Sequence, residues 1–387
     1  MNNNNIHVAL VGLGFGAEFI PIYLHHPRVR AVTLVDSDPQ ILAREARKWN
    51  VSRTASGLDA VLADPDIDAV HLVTPIPLHA RQSVAVLDAG KHCACTVPAA
   101  TSIADLHALV AAERRSGRTY MMMETAVYTR EFLMVEEWHR RGELGRVQFL
   151  RGAHYQDMES WPEYWMGLPP MHYATHAVAP LLRLAGARAT GVHCFGSGTM
   201  RADLRARYGN PYPVETAIFQ LEGQPIAAEV TRTLFETARE YTEAFAVYAS
   251  ERSFEWQQVE SERPLRYTFD GPAAYPHGRA IRREAMDAPD FAHLLPEPIR
   301  RFTRAGVYDA DHAHRSFIQG GGHGGSHPHL VDAFVSACVE GRPSAIPATT
   351  AADWTAVGIC AHQSALRNGE RIAIPDFTGS AVHAAQA

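Results

Sequence analysis

Along the first 125 residues, unbroken apolar runs alternate with stripes of apolar residues at helical spacing. IHVALVGLG is continuous and ends in glycines, which predicts a buried strand, and AEFIPIYLHH follows with helical periodicity. The exchange repeats as VRAVTLVDSD then PQILAREARKWN, AVHLVTP then PLHARQSVAVLDAG, and KHCACTV then SIADLHALVAAERRSG, before a last strand, TYMMME. Repeated strand–helix–strand units demand a parallel sheet with helices on both faces, a doubly wound α/β fold. Ser102, with Asp105 three residues on, predicts a capped helix start. From about residue 147 the texture changes. RVQFLRGAHY, VETAIFQLE, IAAEVTRTLFE, EAFAVYAS and RSFEWQQVE are strand-like with turns between several of them, which predicts a mostly antiparallel sheet. Residues 265–325 are rich in Pro, Gly, His and charge and are expected to form one long functional excursion. HLVDAFVSACVEG and TAADWTAVGICAHQSALRNG return to helix. The expected division is residues 1–125 and 126–387.

Composition narrows the picture. A chain of 387 residues is long for one compact domain, so two are expected. Hydrophobic residues at 46% and charged residues at 20% fit a soluble protein with a sizeable core. The net charge of −6 argues against nucleic acid and anionic membrane surfaces as partners. No apolar run approaches a membrane span, and the polar MNNNN leads straight into a strand, which predicts no signal peptide. The five cysteines are odd in number and form no CxxC pair, so a reduced, cytoplasmic protein is expected.

Candidate chemistry begins at GLGFGA, residues 12–17, directly after a strand. It fits the dinucleotide fingerprint G-x-G-x-x-A: Gly12 makes the tight turn, Gly14 admits the pyrophosphate, and Phe15 and Gly16 open the helix facing it. Asp36 ends the second strand at the spacing expected of a ribose ligand. Its carboxylate would accept from the 2′-hydroxyl and repel a 2′-phosphate, so NAD is expected rather than NADP. VTPIPLHA, residues 73–80, would line the crevice through Thr74, Pro75 and Ile76, with His79 beside them. GKHCACTVPAA, residues 90–100, carries Thr96, Val97 and Pro98 towards the same cofactor.

The fingerprint, TPIPLH, GKH…P and a following β-rich region resemble the Gfo/Idh/MocA superfamily of NAD(P)-dependent sugar oxidoreductases over nearly the whole chain. The resemblance implies an N-terminal Rossmann domain and a C-terminal α+β domain with a large open, mostly antiparallel sheet. It also implies a small-molecule carbohydrate substrate and a homodimer or homotetramer. Many members place Glu-Lys-Pro after GKH, the lysine helping to deprotonate the hydroxyl being oxidised, whereas Thr96-Val97-Pro98 stands here. The VPAA stretch is similar to that of the NAD-dependent α-N-acetylgalactosaminidases of this superfamily, as are METAVYTREF, YATHAVAP and GHGGSH. That similarity implies catalytic roles for Glu124, Tyr128, Tyr173 and His176, with Arg130 and His323 as substrate contacts. His154 stands where those enzymes place a tyrosine, and is included with the catalytic set. His327 replaces an aspartate. NAD-dependent sulfoquinovosidases share the fold and redox-assisted chemistry.

Where ordinary dehydrogenases of this type place Asp and His four residues apart, this chain has His172 and His176. A helix would put both on one face, towards substrate. Histidine and tyrosine can exchange protons with a sugar hydroxyl or carbon acid. These features predict an NAD-dependent glycosidase acting by transient oxidation and elimination. The alternative is an NAD-dependent sugar or cyclitol dehydrogenase in which a histidine replaces the lysine. A non-catalytic sensor is disfavoured, because it needs no proton-transfer groups. DADHAH (309–314) and HGGSHPH (323–329) match no zinc spacing, so solvated histidines and no metal are expected.

Overall fold

The structure is a computed structural model that describes residues 5–162, 167–304, 306–307, 309–310, 313–315, 317–318 and 323–378. The chain divides into two units. The first comprises Met1–Tyr128, Asp290–Thr355 and Phe377–Ala387, and the second Thr129–Pro289 and Ala356–Asp376. Asp290–Thr355 is a correction: expected in the second domain, it packs in the first. The physical reason is a buried helix, His327–Glu340, whose Leu330, Val331 and Phe334 are fully excluded from solvent. Its Asp332 holds His26 at 3.1 Å, and the carbonyl of Ile346 accepts from Met122 N at 3.0 Å.

In the first unit the strands are β1 (Ile6–Val11), β2 (Val29–Val35), β3 (Thr54–Ala55), β4 (Ala69–Leu72), β5 (His92–Cys95) and β6 (Tyr120–Met122). They form one parallel sheet in the order β3-β2-β1-β4-β5-β6. All six residues of β1 are buried, as its continuous apolar run requires of a sheet covered on both faces. The chain leaves β3 at one edge and resumes at β4 on the far side of β1. Ligands of doubly wound sheets bind in the crevice at such a switch, beyond the carboxyl ends of β1 and β4. Asp38 caps the helix Pro39–Trp49 by accepting from Gln40 N at 2.8 Å, and Ser102 caps Ile103–Ser116 by accepting from Asp105 N at 3.1 Å. All five cysteines are buried and unpaired. This unit also contains the small ladder of β15 (Gly306–Val307) and β16 (Phe317–Ile318).

The second unit is built on β7 (Val147–Tyr155), β8 (Ala189–Ser197), β9 (Val214–Leu221), β10 (Ala227–Thr233), β11 (Thr242–Ala249), β12 (Arg252–Glu255), β13 (Leu265–Ala274), β14 (Gly278–Ala285) and β17 (Ile372–Ala373). Their order is β14-β13-β12-β11-β7-β10-β9-β8-β17, and only the β7–β10 pair is parallel. One face is covered by the apolar helix Thr175–Ala185. At Gly152 in β7 a Cβ would stand 2.3 Å from the carbonyl oxygen of Ala177, so glycine is required for that close approach. The expected excursion at 265–325 is corrected in part. β13 and β14 form a hairpin at the sheet edge, solvent-exposed over most of its length, and from Asp290 the chain belongs to the first unit.

Candidate active site

The nucleotide cradle starts where β1 ends. Gly12 has φ +91°, and a Cβ there would meet the carbonyl oxygen of Val73 at 2.3 Å, so no side chain fits. A Cβ on Gly14 would meet nothing within 4 Å, which leaves open backbone for a pyrophosphate to approach. The helix that follows opens as a 3-10 turn, Phe15–Phe19, and continues as Ile20–His25. Gly16 lies against the Val73 side chain, and Phe15 is exposed. Asp36 does more than its spacing suggested. Its Oδ2 accepts from Leu13 N at 2.7 Å and its Oδ1 from Asp38 N at 2.8 Å, tying the glycine turn to the end of β2. These residues fit a dinucleotide. Asp36→Ala is expected to cost about 1.5–3 kcal/mol of NAD affinity, the scale of charge-assisted hydrogen bonds, and to relax discrimination against NADP. Calorimetric titration with both cofactors checks this, and unchanged NAD affinity would remove Asp36 from the site.

The next strand ends bear Thr74–Ile76 and Thr96–Pro98. His79 is buried, and its ring bridges the two strand ends that bear the expected cofactor contacts. Its Nδ1 lies 2.8 Å from the carbonyl of Pro98 and its Nε2 2.7 Å from the carbonyl of Thr74. Two carbonyls can both be satisfied only by two N–H donors, hence by imidazolium. Burial opposes that charge, but Cys95 and the two carbonyls outweigh it and raise the His79 pKa to about 9. A pKa raised on folding stabilises fully below about 6.5, and the contribution fades as pH rises through about 9. Denaturant titrations of wild type and His79→Gln should therefore diverge below pH 9 and converge above it. Parallel pH profiles would show that this strap carries no charge.

Thr96 Oγ1 donates to the Leu72 carbonyl at 3.3 Å, Val97 is 5% exposed, and Pro98 is buried. The lysine's place is thus occupied by a packed apolar side chain. Glu124 is fully buried and caps the short turn Thr125–Val127, accepting from Ala126 N at 3.0 Å, and Tyr128 is buried at the end of that turn. His323 stacks at a tilt on Phe15, with ring centroids 5.3 Å apart.

In the second unit three expected residues come together. The ring of His154 on β7 lies 5.8 Å from that of Tyr173 and 5.5 Å from that of His176. The Tyr173 hydroxyl is 3.4 Å from His176 Nε2. Three residues that sequence reasoning missed complete the group. Glu243 Oε1 lies 3.6 Å from His176 Nε2 and 3.9 Å from His154 Nε2, and it also accepts from the Tyr241 hydroxyl. Burial, reinforced by that carboxylate, holds the Tyr241 phenol well above its ordinary pKa. Arg232, wholly buried, donates to the carbonyls of Tyr173 (3.0 Å), His154 (3.3 Å) and Thr233, and to Gln156 Oε1 (2.7 Å). Burial lowers its pKa to about 10, so it remains cationic at neutral pH.

A signal for these residues exists in the strand alternation. Leu150, Gly152 and His154 share the buried parity of β7, as do Ala228, Val230 and Arg232 on β10, and Glu243, Phe245 and Val247 on β11. A charged or titratable side chain at core parity in an apolar strand marks a buried polar site.

The expectation for His172 is corrected. It sits in a 3-10 turn, Pro170–Tyr173, and the helix starts only at Thr175, so His172 and His176 do not share a helix face. The His172 ring instead meets His362 at 5.4 Å, and His362 Nδ1 lies 2.6 Å from Glu215 Oε1. Burial, with His362 nearby, lowers the His172 pKa to about 3. Arg130 opens the helix Arg130–Arg140 behind its cap Thr129. The histidines expected to be solvated are corrected too: His327 and His329 are buried, while His314 is exposed. Asp311 and His312 of the same motif lie outside the described residues.

The sheet order, the glycine turn and Asp36 together define a dinucleotide-binding Rossmann domain. Residues 6–124 match the model of the Gfo/Idh/MocA family, described as an oxidoreductase family with an NAD-binding Rossmann fold. Among curated relatives, a glycosyl hydrolase family 109 protein 1 of Bacteroides fragilis is 29% identical over 198 residues, covering 46% of this chain and 43% of the relative. A levoglucosan dehydrogenase of Pseudarthrobacter phenanthrenivorans is 28% identical over 168 residues, covering 41% and 43%. The matches thus span less than half the length of these relatives. Among solved structures, a levoglucosan dehydrogenase in complex with NADH and levoglucosan superposes with a TM-score of 0.74 at 18% identity, covering 96% of this chain and all of that one. This likeness establishes the two-part fold. Among the described residues, no helix is long and apolar enough to cross a membrane.

Proposed function

We propose that the protein is an NAD-dependent glycosidase that cleaves a pyranoside by transient oxidation at C3, elimination across C1–C2, addition of water and re-reduction. The observation that carries this reading is the group of His154 and His176, buried, with Tyr173 and Tyr241, half-buried, around Glu243. It offers several proton-transfer side chains where a direct glycosidase would present a facing carboxylate pair. NAD would be held by Gly12, Gly14, Phe15, Gly16 and Asp36, and would supply the reversible oxidation at C3.

A ketone at C3 acidifies the C2 hydrogen, because the carbanion formed is an enolate. His176 takes that proton, and Glu243 favours the resulting imidazolium. Tyr173 exchanges the proton of the C3 hydroxyl, a task that other family members give to the lysine replaced by Val97. The aglycone departs from C1 with the bonding electron pair and takes up a proton. Water adding to the enone supplies the new C1 hydroxyl, and C2 regains a proton from His176. Arg130 is proposed to contact the sugar. The exposed Phe195 and Ile218 on the large sheet support a homodimer or homotetramer. We also place the protein in the cytoplasm, on the strength of its five unpaired cysteines.

A panel of nitrophenyl pyranosides, a sulfonated sugar among them, should be turned over in D₂O with NAD and the product examined by NMR. Deuterium at C2 without net NADH is expected. Full retention of protium at C2, with NADH accumulating in step with product, would sink the elimination route. It would instead establish the second reading, a sugar or cyclitol dehydrogenase, which the levoglucosan dehydrogenase relative favours.

A further inference from the structure

Three metal-ligating side chains converge beside the glycine turn, in a place where the motif reading expected solvated histidines. Glu18 belongs to the turn Phe15–Phe19, His323 precedes the helix His327–Glu340, and His327 is that helix's first residue. One ligand atom from each lies within 4.8 Å of the other two. His327 Nδ1 is 3.4 Å from Glu18 Oε2, and the two imidazole rings are 5.0 Å apart.

The second observation concerns His327 itself. It is 0% exposed, and neither ring nitrogen has a hydrogen-bond partner among the described residues. An imidazole buried in that condition carries an uncompensated desolvation cost, which a coordinated cation would remove. We propose that Glu18, His323 and His327 form a three-ligand binding site for a divalent transition metal, zinc in the first instance.

The donor set selects the metal class. Two imidazoles and one carboxylate suit Zn²⁺, Co²⁺ or Ni²⁺, whereas Mg²⁺ and Ca²⁺ prefer oxygen donors throughout. Zinc–ligand bonds of about 2.0–2.1 Å put tetrahedral donors about 3.3–3.4 Å apart. The His327–Glu18 pair already has that spacing. The remaining separations close by about 1 Å through rotation of Glu18 and His323, which are only half-buried. Phe15 and Phe19, with ring centroids 5.6 and 4.4 Å from that of His327, supply an apolar wall around it. Three protein ligands leave a fourth position for water. The site would pin the start of the helix His327–Glu340 to the turn that follows the nucleotide fingerprint. It does not depend on which sugar reaction the protein performs.

The test uses the full chain, stripped with chelator and titrated calorimetrically with zinc chloride alone, and separately with Co²⁺ while visible absorption is followed. One zinc equivalent and the d–d bands of low-coordinate Co²⁺ are expected. His323→Ala and Glu18→Gln should each weaken zinc binding at least about tenfold, since each removes or neutralises a ligand. NAD titration and circular dichroism confirm that these variants fold. His277→Ala, at the exposed tip of the β13–β14 hairpin, controls for surface histidines and should bind as wild type does. Failure of wild type to take up one equivalent, or equal uptake by His323→Ala and wild type, would overturn the site.

Discussion

His176→Ala is expected to retain wild-type NAD affinity and to lose about 10²–10⁴-fold in turnover, the usual contribution of one positioned acid–base group. The cofactor affinity should survive because the glycine turn and Asp36 belong to the first unit, whereas His176 belongs to the second. The rate should fall because His176 is the group assigned to the C2 proton. Glu243 lies 3.6 Å from His176 Nε2, so Glu243→Gln, which removes that charge, should lower turnover as well. Turnover of His176→Ala within about threefold of wild type would remove this residue from the chemistry.

Arg232→Met is expected to cost about 3–5 kcal/mol of folding stability, the scale for removing one partner from a buried charged network. The side chain is fully buried and satisfies three backbone carbonyls and Gln156 at once. Methionine fills much of the volume but donates nothing, leaving these acceptors and the nearby Glu243 charge without their cation. Arg232→Lys should recover only part of the loss, since an ammonium has three donors and cannot reproduce the guanidinium fork. Urea unfolding measures both variants. A loss below about 1 kcal/mol for Arg232→Met would mean that water replaces the guanidinium without penalty.

Much of the first unit was legible along the chain. The glycine fingerprint, Asp36 and the Ser102 cap are local devices, in which residues a few positions apart satisfy one another's backbone groups. His154 was named through the family resemblance alone, and in the fold it stands at the buried parity of β7. Strand alternation applied to β10 and β11 would have exposed Arg232 and Glu243, whose charge hides within otherwise apolar strands. Helical spacing misled at His172, because Pro169 and Pro170 lead into a 3-10 turn and delay the helix to Thr175.

By itself, then, the chain determined the doubly wound sheet, the antiparallel second sheet and the nucleotide turn, because apolar period and glycine placement are properties of neighbouring residues. Only tertiary packing decided that Asp290–Thr355 joins the nucleotide unit, that His79 bridges Thr74 and Pro98, and that Glu18 meets residues about 300 positions away. Such meetings depend on which buried surfaces close against each other. No local pattern encodes the partner, so the same histidine reads as solvated in the sequence and stands buried in the fold.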